Sequence, residues 1–325
     1  MLVLTTTDLY QCHHLEGLIE CMTNALQAIQ NPQAKNFPRE VYPLTQGKNF
    51  GLMLAFDNSE LLLGYKTLVL SPFARQNGLN AHQGVVVLLD ATTGRLKCLL
   101  DASTVTGLRT SAVSAAATNA LSKKNARSLA IIGTGYQAEE HFKSIRHVRS
   151  TIDTVHVYGR TPASVERFEH FLRSENVKKV IVHSNPMDAV CDAEIVTTCT
   201  SAKTPFLSID NFQLGTHINA IGSSRPGAQE VILTNRNFLK IYLDSKEACF
   251  LESDEITLPI KNGALDSKFI LGELGEYLRG QIPGREHEND ITVFKSVGLG
   301  IEDVYAAHFF YQQALELGIG QQINL

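Results

Sequence analysis

A glycine-rich turn at residues 133–138, with the sequence Gly-Thr-Gly-Tyr-Gln-Ala, places the tightest limit on the fold. An apolar strand pattern precedes it and an amphipathic helix pattern follows it. In such a turn the first glycine permits the tight bend, the second lets the backbone approach a pyrophosphate, and the small third residue lets helix and strand pack closely. Phosphates would face the free N–H groups of the helix start. The pattern predicts a Rossmann-type dinucleotide site that includes Gly133, Thr134, Gly135, Tyr136, Gln137 and Ala138.

The next strand indicates which dinucleotide is preferred. An NAD site commonly carries Asp or Glu at the end of that strand, about 20 residues on, to bind the ribose 2′-hydroxyl. Here the strand ends Val157-Tyr158-Gly159-Arg160-Thr161 and offers no carboxylate. Arg160 is suited to bind a 2′-phosphate and Thr161 to add a hydroxyl, so the sequence predicts NADPH as the preferred cofactor, with NADH as the open alternative.

Strand and helix patterns alternate from residue 128 to residue 244, which predicts a parallel α/β sheet of about six strands. We expect its helices at 138–148, at 162–174 and near Met187. The alternation begins just after the polar Lys123-Lys124-Asn125, where we place the domain crossover.

The two chain ends have a different character. Apolar residues from about Asp8 to Ile29 recur at helical spacing, and short β-like runs over 49–101 predict an antiparallel or mixed sheet. Small residues predict a closely packed helix over 106–122. A terminal helix at 302–317 is apolar on one face and is expected to cross back onto the first domain.

The fold class is therefore α/β, with a Rossmann-type parallel-sheet domain and an α+β domain formed from both chain ends. We assign the Rossmann domain to 123–298 and the second domain to 1–122 with 299–325. The continuity of the patterns predicts a helical crossover between them.

Charge and cysteine content narrow the partners and the compartment. Lys and Arg number 29 against 33 Asp and Glu, a net charge of −4, so binding to nucleic acid or to an anionic membrane is not expected. The sequence has neither a secretory signal pattern nor an apolar run of about 18 residues. Six cysteines without a C-x-x-C pair fit free thiols. These features predict a cytoplasmic protein with a small-molecule partner.

Two clusters of possible metal ligands are set aside. The segment 286–290, Glu-His-Glu-Asn-Asp, lies on a polar loop where adjacent side chains rarely converge, and His13-His14 has no partner ligands in its helix. The sequence therefore predicts no metal.

Six motifs, in this order, resemble those of the ornithine cyclodeaminase/mu-crystallin family over almost the whole chain. They are Gly64-Tyr65-Lys66, the Gly78–Gly84 segment, Leu108-Arg109-Thr110-Ser111-Ala112, the glycine turn, His217–Gly222 and Gly298–Asp303. The resemblance implies a homodimer that acts on small amino acids or cyclic imino acids. It also implies the two-domain arrangement given above, in which the α+β domain formed from both chain ends is the substrate and dimerisation domain.

The resemblance also assigns site residues. Arg39, Lys66 and Arg109 stand at the positions that bind a substrate carboxylate, with His82 beside them, and fixing that group would hold the reacting carbon against the nicotinamide. Either Lys66 or His82 would keep the imine nitrogen protonated, and we favour Lys66 as the catalytic group. The remaining residues assigned to the cofactor are Thr110, Thr200, Ser201 and Ser223.

The segment after Gly222 separates the branches of the family. The cyclodeaminase branch carries an essential aspartate and, four positions later, a lysine, where this chain has Ser224 and Ala228. Because serine has no carboxylate to take a proton at neutral pH, cyclodeamination is disfavoured. The Ser-Arg-Pro form resembles the branch that reduces cyclic ketimines.

The activity that the resemblance implies is reduction of delta-1-pyrroline-2-carboxylate to L-proline, in proline metabolism, or of delta-1-piperideine-2-carboxylate to L-pipecolate. The alternatives are an ornithine or lysine cyclodeaminase, a non-enzymatic NADPH and small-ligand binding protein, and an amino-acid dehydrogenase. Ring size stays open, because one methylene changes binding by only about 1–3 kcal/mol.

Overall fold

A computed structural model describes residues 1–74, 77–80 and 82–324, and at His82 it describes the main chain but not the side chain. The chain divides into two compact units, unit 1 with Met1–Thr110 and Leu299–Leu325, and unit 2 with Ser111–Gly298. The units divide at 110/111, inside the continuous helix Ala102–Leu121, and at 298/299, whereas the domains assigned from the sequence divide at 122/123 and 298/299.

The described strands of unit 1 form one mixed sheet of eight strands in the order β18-β1-β7-β6-β5-β4-β2, with β3 also paired to β4. Buried and less buried side chains alternate along most of β4 and β5, as expected for a sheet with one covered face. The first strand runs parallel to β7, which makes the predicted sheet mixed. The strands are β1 (Leu2–Leu4), β2 (Ala34–Asn36), β3 (Glu40–Pro43), β4 (Asn49–Asp57), β5 (Leu62–Leu70), β6 (His82–Asp90), β7 (Leu96–Asp101) and β18 (Gln321–Gln322).

Unit 1 also contains α1 (Thr6–Cys12), α2 (Leu15–Ala28), the start of α3 (Ala102–Leu121) and α10 (Gly300–Leu317). The prediction of one helix over 8–29 is wrong, because the chain is extended at His13 and the imidazole of His14 accepts the Gly17 N–H to cap a second helix. The predicted return of the terminal helix is confirmed, since α10 packs on α2, β4 and β5.

Unit 2 is built on a parallel sheet of eight strands, all among the described residues, in the order β10-β9-β8-β11-β13-β17-β15-β16. The sequence predicted about six of them. It missed β16 and β17, which lie beyond residue 244, where the predicted alternation ended. The strands are β8 (Ser128–Ile132), β9 (Thr154–Tyr158), β10 (Lys179–Val182), β11 (Ile195–Thr198), β13 (His217–Ala220), β15 (Leu239–Leu243), β16 (Ile270–Glu273) and β17 (Ile291–Lys295), with a separate pair β12 (Leu207–Ser208) and β14 (Val231–Ile232).

The helices of unit 2 confirm the alternation read from the sequence. Phe142 and Phe168, from the first two of them, are fully buried together with strand residues such as Leu129 and Val155. Among the described residues, no helix has the length and apolar content needed to cross a membrane. The helices are α4 (Tyr136–Val148), α5 (Pro162–Ser174), α6 (Pro186–Val190), α7 (Lys246–Glu252), α8 (Asp254–Lys261) and α9 (Leu274–Leu278).

Candidate active site

The glycine turn joins β8 to α4. Gly133 has a φ of +117°, and a Cβ there would lie 2.9 Å from the carbonyl oxygen of Cys199, so this position needs glycine. Its N–H donates to the Tyr158 carbonyl at 2.9 Å, which ties the turn to the end of β9. Ala138 is fully buried where α4 packs on the sheet. The first and third positions of the motif thus serve the packing that the sequence predicted.

The second glycine leaves space for a ligand. A Cβ at Gly135 would have no protein atom within 4 Å, and Gly135 is the N-cap of α4 without a side-chain hydrogen bond to the helix start. The buried Oε1 of Gln137 in the first turn has no hydrogen-bond partner among the described residues. An open backbone edge at the positive end of a thirteen-residue helix fits a pyrophosphate.

The end of β9 lies against the same turn. Gly159 approaches Thr134 so closely that a Cβ would lie 2.8 Å from the threonine methyl carbon. Arg160 and Thr161 follow and are exposed, and the Thr161 side chain makes no capping bond to α5. Both residues predicted to bind the ribose 2′-phosphate are therefore exposed next to the glycine turn.

The loops after β11 and β13 carry the other residues assigned to the cofactor in unit 2. Thr200 donates its N–H to Glu230 Oε1 at 2.6 Å, and Ser201 is exposed. The Ser223 hydroxyl is fully buried and accepts a hydrogen bond from Lys295 at 3.0 Å. Ser223 therefore uses its side chain to hold its own loop.

Unit 1 places three of the residues predicted to bind the substrate in or beside one cluster. Lys66 on β5 is only 1% exposed, and its Nζ lies 2.6 Å from Asp303 Oδ2 and 3.3 Å from the Thr106 hydroxyl. Arg109 on α3 is also buried and donates its Nε to Asp303 Oδ1 at 2.9 Å. Asp303 therefore lies between the two cations.

Glu302 completes this arrangement at the start of α10. It forms an ion pair with Arg109 and accepts the N–H of Leu299 at 3.1 Å. Both carboxylates lie in the first turn of α10, where the helix dipole favours negative charge, and both are fully buried. We call four residues the cation cluster: Lys66, Arg109, Glu302 and Asp303. Arg39 lies near enough to affect the pKa of Lys66.

Burial lowers the pKa of Lys66 to about 8, against the opposing pull of the Asp303 carboxylate. Arg109 and the half-buried Arg39 both lie close enough to lower this pKa further. The ammonium form thus still predominates at neutral pH.

Thr110, predicted to bind the cofactor, and His82, predicted to bind the substrate, are the two remaining site residues. Thr110 is buried on α3, next to Arg109. His82 begins β6, where it pairs with Leu70, but its side chain lies outside the described residues.

Sequence reasoning missed the acidic half of the cation cluster. Glu302 and Asp303 lie in one of the motifs named above, yet they are 193 and 194 residues from Arg109 along the chain, and nothing in the sequence indicated the ion pairs. It also missed Glu230, Glu255 and Lys295, which form a buried charged network in unit 2. Their polar character inside apolar segments was the available signal.

Two acidic residues of the segment 286–290 make contacts of another kind. Glu286 and Asp290 both form ion pairs with Lys240. Among the described residues, no three His, Cys, Asp or Glu side chains come together as metal ligands would. The six cysteines, all within the described ranges, are free thiols.

The chain is similar in sequence to a known protein family. The model of the ornithine cyclodeaminase/mu-crystallin family matches residues 1–318. The chain is 34% identical over 328 residues to a Delta(1)-pyrroline-2-carboxylate reductase of Bacillus cereus, and the match covers 100% of both chains.

Solved structures agree with this match. The Delta(1)-pyrroline-2-carboxylate reductase of Thermococcus litoralis, in complex with NADH and L-proline, superposes with a TM-score of 0.93 at 30% identity, covering 99% of this chain and 100% of that one. An archaeal alanine dehydrogenase dimer with bound NAD superposes with a TM-score of 0.90 at 26% identity, covering 100% and 99%. The predicted fold class is confirmed.

Paired glycine substitutions test the dinucleotide site. In Gly135→Ala the added methyl meets no protein atom, so the melting temperature stays close to that of the wild type, while the affinity for NADPH falls by about tenfold or more because the methyl occupies the approach of the pyrophosphate. Gly133→Ala instead destabilises the fold by about 1–3 kcal/mol. Fluorescence titration and thermal unfolding measure the two effects. Unchanged NADPH affinity in Gly135→Ala would contradict the placement of the site.

Proposed function

The chain belongs to the ornithine cyclodeaminase/mu-crystallin family, as its motifs predicted, and we propose that it reduces the C=N bond of a cyclic imino acid with NAD(P)H. The substrate that fits best is delta-1-pyrroline-2-carboxylate, which gives L-proline, and delta-1-piperideine-2-carboxylate is the six-membered candidate. A reductase of the former compound is 34% identical over the full length of both chains.

The two buried cations Lys66 and Arg109 carry this proposal. A cyclic imino acid of this class has one carboxylate, which an ammonium and a guanidinium in fixed positions can bind. Asp303 already holds Lys66 and Arg109 in place, so these side chains would lose little entropy when they bind the substrate carboxylate. Together with Arg39, they would bind and orient the substrate carboxylate.

The reduction needs a hydride at the imine carbon and a proton at the nitrogen. Bound NAD(P)H supplies the hydride. We assign to Lys66 the second task, because its ammonium, with a pKa near 8, keeps an adjacent imine nitrogen protonated and so more electrophilic. The proton that Lys66 gives up is replaced from solvent, and the product is the amino acid.

The loop after β13 favours reduction over cyclodeamination. Ser224 has no carboxylate to serve as a base, and Ala228 is a buried apolar residue. A lyase reaction would need an ionisable group that these two positions do not supply.

We propose NADPH as the preferred form of the cofactor. The support is the exposed Arg160 beside the glycine turn and the absence of a carboxylate from the described residues 157–161. The solved relative from Thermococcus litoralis contains NADH, so the preference for the 2′-phosphate is a property to be measured on this chain.

We propose that the protein is a cytoplasmic homodimer. The face of the unit 1 sheet opposite α10 is apolar and incompletely covered, as a self-complementary dimer surface would be. A dimer is also described for the archaeal alanine dehydrogenase. Six free thiols support the compartment. The apolar sheet face carries Leu52, Leu54, Leu63, Tyr65 and Val85, which are half-buried or exposed.

Oxidation of NADPH, followed by its absorbance, tests the function directly. We expect oxidation with one or both cyclic imines, no ammonia from L-ornithine, and no oxidation with ammonia plus an open-chain 2-oxo acid. The rates of oxidation with the two imines show which ring size the protein prefers. Ammonia from ornithine without imine reduction would overturn the proposal in favour of a lyase, and cofactor binding without turnover of either imine would favour a binding protein.

Arg160→Ala tests the cofactor preference. Loss of the guanidinium removes a charged partner of the 2′-phosphate, so the KM for NADPH rises by about tenfold or more while the KM for NADH changes little. Arg95→Ala, at an exposed arginine of unit 1, is the control and leaves both values unchanged. Equal losses with the two cofactors in Arg160→Ala would remove the proposed role.

Lys66→Arg tests the protonation state that the reaction needs. Because the active form is the ammonium, kcat/KM of the wild type falls as the pH rises through about 8. Arginine stays charged, so the fall of kcat/KM at alkaline pH disappears in Lys66→Arg, whatever the absolute rate of this variant. Lys178→Arg, at an exposed lysine, keeps this fall. An unchanged fall in Lys66→Arg would assign the titration to another group.

A further inference from the structure

Glu230 is a fully buried carboxylate that bridges two loops of unit 2. The Thr200 loop (199–206) follows β11, and the Gly222 loop (221–230) follows β13. Oε1 of Glu230 accepts the N–H of Thr200 at 2.6 Å, and Oε2 accepts the N–H of Gly222 at 2.9 Å. The Glu230 carbonyl also accepts the N–H of Phe206 at 3.1 Å, so one residue fixes both ends of the Thr200 loop.

These loops leave the sheet at the edge where ligands bind. β11 and β13 are neighbouring parallel strands, and ligands of open α/β sheets bind outside the carboxyl ends of the strands. Gly222 is needed for the bridge, because a Cβ there would lie 2.5 Å from Glu230 Oε1. The same loops carry Ser201 and Ser223, which the sequence assigned to the cofactor.

A second buried pair holds Glu230 in place. Glu255 on α8 accepts the N–H groups of Glu230 and Val231 through Oε1, at 2.6 and 2.8 Å. Its Oε2 lies 2.8 Å from Lys295 Nζ. Lys295 in turn donates to the Ser223 carbonyl at 2.6 Å. The network therefore fixes the Gly222 loop at its start and at its end.

We propose that Glu230 is a positioning residue for the reduction, whose carboxylate sets the Thr200 and Gly222 loops in the conformation that binds the nicotinamide dinucleotide. The proposal rests on the proposed function only through the identity of that cofactor. None of the reaction chemistry is assigned to Glu230, which acts through the backbone N–H groups of Thr200 and Gly222.

The charge on Glu230 should matter, because a charged acceptor bonds two N–H groups more strongly than a neutral one. Desolvation, and after it the Glu255 carboxylate, raise the pKa of Glu230 to about 7. Among the described residues, Glu255, Lys295 beyond it and the Cys199 thiol, whose pKa burial raises, lie near Glu230. Cofactor affinity should therefore fall as the pH drops through about 7.

Binding of NADH by the whole protein, without substrate, tests this inference separately from turnover. NADH is the probe because it lacks the 2′-phosphate, which itself titrates. We compare the NADH affinity of the wild type, of Glu230→Gln and of Glu247→Gln, which changes an exposed glutamate of α7. The measurements extend about one pH unit to either side of pH 7. Melting temperatures are recorded for each.

We expect Glu230→Gln to bind NADH about tenfold more weakly than the wild type at the alkaline end, because the glutamine amide faces N–H donors. Its affinity should not change with pH, whereas the wild type and Glu247→Gln lose affinity as the pH falls. A folded Glu230→Gln with the wild-type affinity and pH profile would overturn the proposal. If this variant does not fold, the wild-type profile decides, and a flat one overturns the proposal.

Discussion

Two buried carboxylates at the start of α10, Glu302 and Asp303, meet Lys66 and Arg109 inside unit 1. Charges this deeply buried are tolerated only when paired, and removal of one partner typically costs about 3–5 kcal/mol. The pairing therefore requires the end of the chain to return to the strands of its beginning. The same ion pairs orient two cations, so one interaction holds the fold of unit 1 and positions the groups to which we assign the binding of an anionic substrate.

Unit 2 uses buried charge in a similar way. Asp244 accepts the N–H groups of Val297 and Gly298 at 2.7 and 2.8 Å, and so fixes the segment that follows β17. Glu230 does the same for the loops after β11 and β13. In each case a carboxylate replaces water as the partner of loop N–H groups that apolar side chains could not satisfy. The loops at the carboxyl edge of the sheet are held by charged groups that do not contact solvent.

The sequence predicted features with a local signal. The turn at Gly133 is specified by steric needs within a few residues, and the helix over 162–174 begins at Pro162 and ends at Ser174 as expected. Features that depend on distant contacts were not predicted. The break at His14 depends on one side-chain cap, and the ion pairs of Asp303 join segments far apart in the chain. Lys66 and Arg109 were identified through the family resemblance, since composition and spacing alone do not distinguish them from surface cations.

The central claim is that this protein transfers hydride to a cyclic imine whose carboxylate is bound by the cation cluster. Deuterium tracing tests it most directly, with NADPH labelled at nicotinamide C4 and delta-1-pyrroline-2-carboxylate as substrate. The account predicts proline with one deuterium at C2, from one face of the labelled nicotinamide, and loss of this product when Lys66 is replaced by methionine. Proline without deuterium at C2, or the same labelled yield from Lys66→Met, would contradict it.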